Sequence, residues 1–166
     1  HTSSDRDWSS DVCSSDLNRV ARAGLWSKKV SFVYRSLDAE KMSQAAADLV
    51  GTHDFSSFRA AGCQAPHATR EVRRIDVRRD GEFVIVEIEA NAFLQHMVRN
   101  VVGTLIEVGD GRQSCGFVRQ VLNARNRAFA GITAPPDGLY LIAVTYPRRF
   151  GIDTGVEHID LPQLIR

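Results

Sequence analysis

The chain has only three cysteines in 166 residues, Cys13, Cys63 and Cys115, and neither a Cys-x-x-Cys nor a His-Glu-x-x-His spacing. That argues against a disulfide framework or a zinc site, and the expectation is reduced thiols and no metal. There is no uninterrupted apolar run long enough to cross a bilayer, and no apolar segment behind a basic start in the first thirty residues. A cytoplasmic protein without membrane contact is the expectation. Lysine is scarce too: 18 of the 21 basic residues are Arg. Arg's planar fork matches phosphate better than an ammonium does, although GC-rich coding DNA produces the same bias. Against these absences stand 43% hydrophobic and 25% charged residues, enough for one domain with a real core and no indication of class beyond that.

The first seventeen residues follow neither the helical nor the strand period, because Ser9-Ser10-Asp11 and Ser14-Ser15-Asp16 flank Val12-Cys13. The run from Asp7 to Leu17 resembles a sequencing-library adapter translated in one frame. Residues 1–17 are therefore expected to be a non-native leader, outside any fold reasoning. They hold one Arg and four Asp; without them 20 basic and 16 acidic residues remain, a net charge of +4 that leans toward a polyanionic partner.

Beyond the leader, a domain is expected over 18–152, followed by a tail at 153–166. An apolar run at Val30, Phe32 and Val33 reads as a strand. Asp38 is a good N-cap for a helix whose Met42, Ala45, Ala46, Leu49 and Val50 recur at helical spacing, with Gly51 placed for a left-handed C-terminal residue. Arg70 to Arg79 and Glu82 to Ala90 read as a hairpin with a type I′ turn at Asp80-Gly81. That register sets Val77 opposite Val84, Ile75 opposite Val86, and Arg74 against Glu87. Asn91 is read as the cap of a second helix running to Val108, a third is expected over Cys115 to Ala124, and Gly138 to Tyr146 reads as a strand. The expected fold is α+β, an antiparallel sheet with helices packed on one face.

Three blocks resemble the signatures of one family. They are Thr52 to Ala60 (Thr-His-Asp-Phe-Ser-Ser-Phe-Arg-Ala), Ala92 to Gly103 (with Gln95-His96-Met97-Val98-Arg99-Asn100 at its centre) and Gly138-Leu139-Tyr140-Leu141. In order and spacing they are similar to the TruA family of tRNA pseudouridine synthases. The resemblance covers residues 18 to about 152 and implies the C-terminal half of the pseudouridine synthase fold. It further implies isomerisation of uridines in the tRNA anticodon stem-loop, without a cofactor, by a homodimer. The family's nucleophilic Asp lies in a Gly-Arg-Thr-Asp-Ala-Gly loop that is absent here, as is its Arg-Tyr-Arg-Tyr strand. The alternative is accordingly a non-catalytic RNA-binding or dimerisation module.

By the same resemblance Arg99 faces the missing Asp, and Leu139 packs against the target base. A guanidinium beside a carboxylate keeps it ionised and oriented. Phe58, Arg59, His96, Asn100, Arg74 and Arg78 are expected to contact RNA, the last two from an arginine-rich strand that could touch phosphates. Phe55 and Phe58, three apart, fit a core pair as well as a stacking platform. Asp54 is expected to serve a turn, not the chemistry.

Overall fold

The computed structural model describes residues 9–18 and 28–146. The expected tail at 153–166 lies outside these residues, as does the leader before Ser9. Strand β1 (Ser9–Asn18) is followed by β2 (Ser31–Val33), helix α1 (Ala39–Ala46), β3 (Gly51–Asp54), β4 (Thr69–Asp80) and β5 (Phe83–Ala90). Helices α2 (Met97–Gly109) and α3 (Phe117–Ala124) and strand β6 (Leu139–Thr145) complete the order.

Local signals explain several of these elements. Asp38 Oδ1 accepts from the amides of Glu40 and Lys41, both at 3.1 Å, so α1 starts where its cap predicts. Past a 3-10 turn at Ala47–Leu49, Gly51 takes φ +108°, the region an L side chain avoids. The hairpin forms, but its register is two residues from the expected one. Asp80 pairs Phe83, Val77 pairs Val86 and Ile75 pairs Ile88. Gly81 and Glu82 are the central turn residues, with positive φ at Gly81 only, as in a type II′ turn. A shift of two keeps every side chain on its face, so the apolar and charged faces survive the change of partners. Arg74 now lies opposite Glu89 and reaches Glu87 diagonally at 3.7 Å.

The second helix is shorter than expected. Asn91 does not cap it: the Asn91 side chain accepts from the Glu71 amide at 3.0 Å, and its own amide donates to Glu71 O, extending the hairpin. His96 then adopts φ +59°, and α2 begins only at Met97.

The sheet runs β3, β4, β5, β1 in order, and β1 carries β6 and β2 along its other edge. All pairs are antiparallel except β1 with β2, which is parallel. Thus a segment expected to stand outside the fold has its backbone in the sheet. Main-chain pairing needs no particular side chain, and β5 and β6 each offer an edge to whatever extended chain lies between them. Helices pack on one face, where Val72, Val77, Val84, Val86, Ile88 and Ala90 meet the apolar sides of α1, α2 and α3. Phe55, Phe58 and Met42 are 0% exposed, and each such side chain contributes about 1.5–3 kcal/mol. A smaller cluster of Val30, Ile85, Phe32, Phe83, Tyr140 and Ile142 forms on the opposite face.

Candidate functional site

The first turns of α2 hold the candidate site. The loop after α3, residues 126–134, lies against this helix so closely that a Cβ on Gly103 would fall 1.8 Å from Ile132 O. A Cβ on Gly131 would fall 2.8 Å from the backbone of Gly103 and Thr104. Glycine at both positions is what permits the approach. The Gly131 amide donates to Thr104 Oγ1 at 3.1 Å. Where the loop leaves the helix, Ala134 bonds twice to Arg99: its amide donates to Arg99 O at 3.1 Å, and Arg99 Nε donates to Ala134 O at 2.8 Å. The half-buried Arg99 side chain is thus held at its inner nitrogen. Among the described residues its guanidinium makes no ion pair.

Beside it, Asn100 is 1% exposed and fully engaged. Its Nδ2 donates to Phe58 O at 2.8 Å, and its Oδ1 accepts from Thr133 Oγ1 at 2.6 Å and Arg127 Nη2 at 3.1 Å. Arg127 Nη2 also donates to Thr133 Oγ1 at 2.8 Å. Neither Arg127 nor Thr133 stood out in the sequence. Their only advance signal is Asn126, a cap residue whose side chain accepts from the Ala128 amide and so marks an ordered turn.

The other expected site residues disperse. Phe58 is buried against Phe55, ring centroids 6.0 Å apart, so both belong to the core and neither offers a face for stacking. With Asn100 likewise buried, two of the six residues expected to touch RNA have no surface to do so in this conformation. Arg59 Nη2 donates to the carbonyls of Cys63 and Ala65 at 2.6 and 2.7 Å, fastening the loop that follows it. Arg78 pairs Glu87 at 2.8 Å and Asp76 at 3.2 Å, while Arg74 lies near Glu87 and Glu89. The arginine stripe is thereby countered by carboxylates of its own sheet face, and the Glu87 hydrogen bond raises the Arg78 pKa further. Arg74 and His96 are the exposed members of the six, and of the two only the His96 side chain makes no hydrogen bond or ion pair among those described.

Leu139 is half-buried and packs on the helix-bearing side of the sheet, whereas Tyr140 joins the opposite cluster and donates its hydroxyl to Lys29 O at 2.6 Å. Leu139 therefore shares the face on which Arg99 stands. Asp54 is a turn residue, as expected: it accepts from the Ser56 amide at 2.9 Å and the Ser56 hydroxyl at 2.5 Å. The Ser56 hydroxyl, then its amide and Arg125, hold the Asp54 carboxyl below its usual range. No group of three or more His, Cys, Asp or Glu suited to a metal ion occurs among the described residues.

Fold and site together define an α+β domain in which the Arg99 guanidinium is held at Nε and makes no ion pair among the described residues. Such a group can orient and ionise a carboxylate brought to it. The family described as tRNA pseudouridine synthase matches residues 45–147, and the chain belongs to that family. It is 47% identical over 150 residues to tRNA pseudouridine synthase A of Nitrosococcus oceani, covering 90% of this chain and 54% of that protein. It is 50% identical over 145 residues to that of Methylococcus capsulatus, covering 86% and 54%. For the Acidiphilium cryptum protein the identity is 55% over 130 residues, covering 78% and 51%. The chain spans about half the length of the curated relatives it matches.

Proposed function

We propose that this chain is the Arg99-bearing part of an enzyme that isomerises uridine to pseudouridine in the tRNA anticodon stem-loop, acting in the cytoplasm as a homodimer. Arg99 pairs with a nucleophilic aspartate from the part of the relatives that this chain does not span. One observation carries the reading: Arg99 is fixed through Nε by Ala134 O, yet has no carboxylate partner among the described residues. A positioned cation with an empty outer side is what an incoming Asp requires, since the pairing lowers the acid's pKa and aims it. Leu139, on the same face, supplies the apolar floor for the base. His96 remains as an RNA contact, whereas Arg74 and Arg78 reach phosphate only by giving up their carboxylates.

Residues 1–17 are a non-native leader in this proposal. The register supports it at three of four positions: Ser10, Ser14 and Asp16 lie opposite buried Ala90, Val86 and Val84, and only Val12, opposite Ile88, is apolar. A strand native to that place calls for apolar residues at these positions.

The test is to mix the chain with a separately produced front half from a relative and follow pseudouridine formation in tRNA. Product only in the mixture supports the enzyme reading. Salt-dependent tRNA binding by the mixture without product supports the non-catalytic RNA-binding alternative.

A further inference from the structure

Arg99 depends for its placement on a loop that holds its Nε through a main-chain carbonyl, and the residues that close this loop form a device of their own. The loop starts near Arg127 and ends at Ala134. Arg127 Nη2 spans it to Thr133 Oγ1 at 2.8 Å, and the Thr133 hydroxyl donates in turn to Asn100 Oδ1 at 2.6 Å. Arg127 Nη1 adds a bond to Ala130 O at 3.3 Å. Asn100 ties this ring to the core through Phe58 O. Nothing in the ring is a carboxylate: a guanidinium is satisfied by an amide, a hydroxyl and a carbonyl, all neutral acceptors. An acid here would offer Arg99 a competing partner next door.

We propose that Asn100, Thr133 and Arg127 form a positioning clamp that sets the guanidinium of Arg99. Thr133 immediately precedes Ala134, so fixing its hydroxyl fixes the carbonyl that receives Arg99 Nε. With the clamp closed, Arg99 has one direction in which to present its terminal nitrogens. With it open, Ala134 O drifts and Arg99 samples other rotamers. The clamp rests on the reading of Arg99 given above for its purpose, but not for its existence.

The test is hydrogen exchange of the Arg99 Nε proton, followed by NMR in the whole chain. Thr133→Val keeps the shape and removes the hydroxyl, while Thr133→Ser keeps the hydroxyl. The expected result is exchange about tenfold faster in the valine variant, with the serine variant like the wild type, as for loss of one protecting hydrogen bond. Arg127→Met should act like the valine variant, which guards against one substitution failing to fold. Equal exchange in wild type and both clamp-breaking variants overturns the proposal, as does equal acceleration in the serine variant. Because exchange is independent of activity, failure here counts against the clamp, whereas failure of the mixing experiment counts against the catalytic reading of Arg99.

Discussion

Gly103→Ala offers a test by sign. In the middle of a helix, replacing Gly by Ala ordinarily stabilises by about 0.5–1 kcal/mol, because the backbone loses less freedom on folding. At residue 103 the added methyl would sit 1.8 Å from Ile132 O and 2.9 Å from Ile132 C, well inside contact distance and against backbone that cannot rotate away. The 126–134 loop must lift from α2. Lifting it breaks Arg99 Nε to Ala134 O, the Ala134 amide to Arg99 O, and the Gly131 amide to Thr104 Oγ1. At about 0.5–1.5 kcal/mol each, the three bonds outweigh the propensity gain, for a net loss of about 0.5–4 kcal/mol. Urea unfolding of the two proteins measures it, read from the midpoint at unchanged slope. A variant more stable than wild type would refute the packing of this loop on α2.

Three further outcomes are expected. Ser14→Val with Asp16→Val should raise the melting temperature, because the register sets these positions opposite buried Val86 and Val84, while Asp11→Val with Cys13→Val, opposite Glu89 and Glu87, should not. If both pairs behave alike, the register of β1 is wrong. For Asp54, whose folded pKa is lowered first by the Ser56 hydroxyl, the stabilising contribution is complete above the unfolded value of 3.8 and is lost as pH falls through the lower folded value. Ser56→Ala should move the Asp54 titration upward by NMR; an unmoved titration would deny the hydrogen bond its role. In the mixture with a front half, Thr133→Val should lower the rate of pseudouridine formation more than it weakens tRNA binding, and the reverse pattern would point to a binding role for the loop.

Much of the fold was legible because its signals are local. Asp38, Gly51 and the alternation of Ile75, Val77, Val84 and Val86 specify a cap, a stop and two faces from neighbours in the chain. The hairpin's faces were right and its partners wrong, since a turn moved by one residue at its centre shifts pairing by two and leaves periodicity intact. Asn91 misled because one amide side chain suits a helix cap and a cross-strand bridge equally well; the αL conformation of His96 decides between them, and nothing in the composition announces it. The part of the site least legible was the 126–134 loop. Its hold on Arg99 runs through the Ala134 main chain and through Gly103 and Gly131, which act by lacking a side chain, and the bond from Arg127 to Asn100 joins residues 27 apart. The sequence distinguished Arg99 by its motif, and only the structure explains what keeps it in place.

The most direct measurement is the rate of pseudouridine formation in the mixture of this chain and a front half, with Arg99 intact and as Arg99→Gln. The glutamine keeps polarity and some reach but cannot hold a carboxylate ionised. A fall in rate of about a hundredfold or more, with tRNA affinity within a few-fold of wild type, is the predicted result, in line with about 2.7 kcal/mol or more lost at a reacting centre. An unchanged rate would contradict the claim that Arg99 is the partner of the catalytic carboxylate.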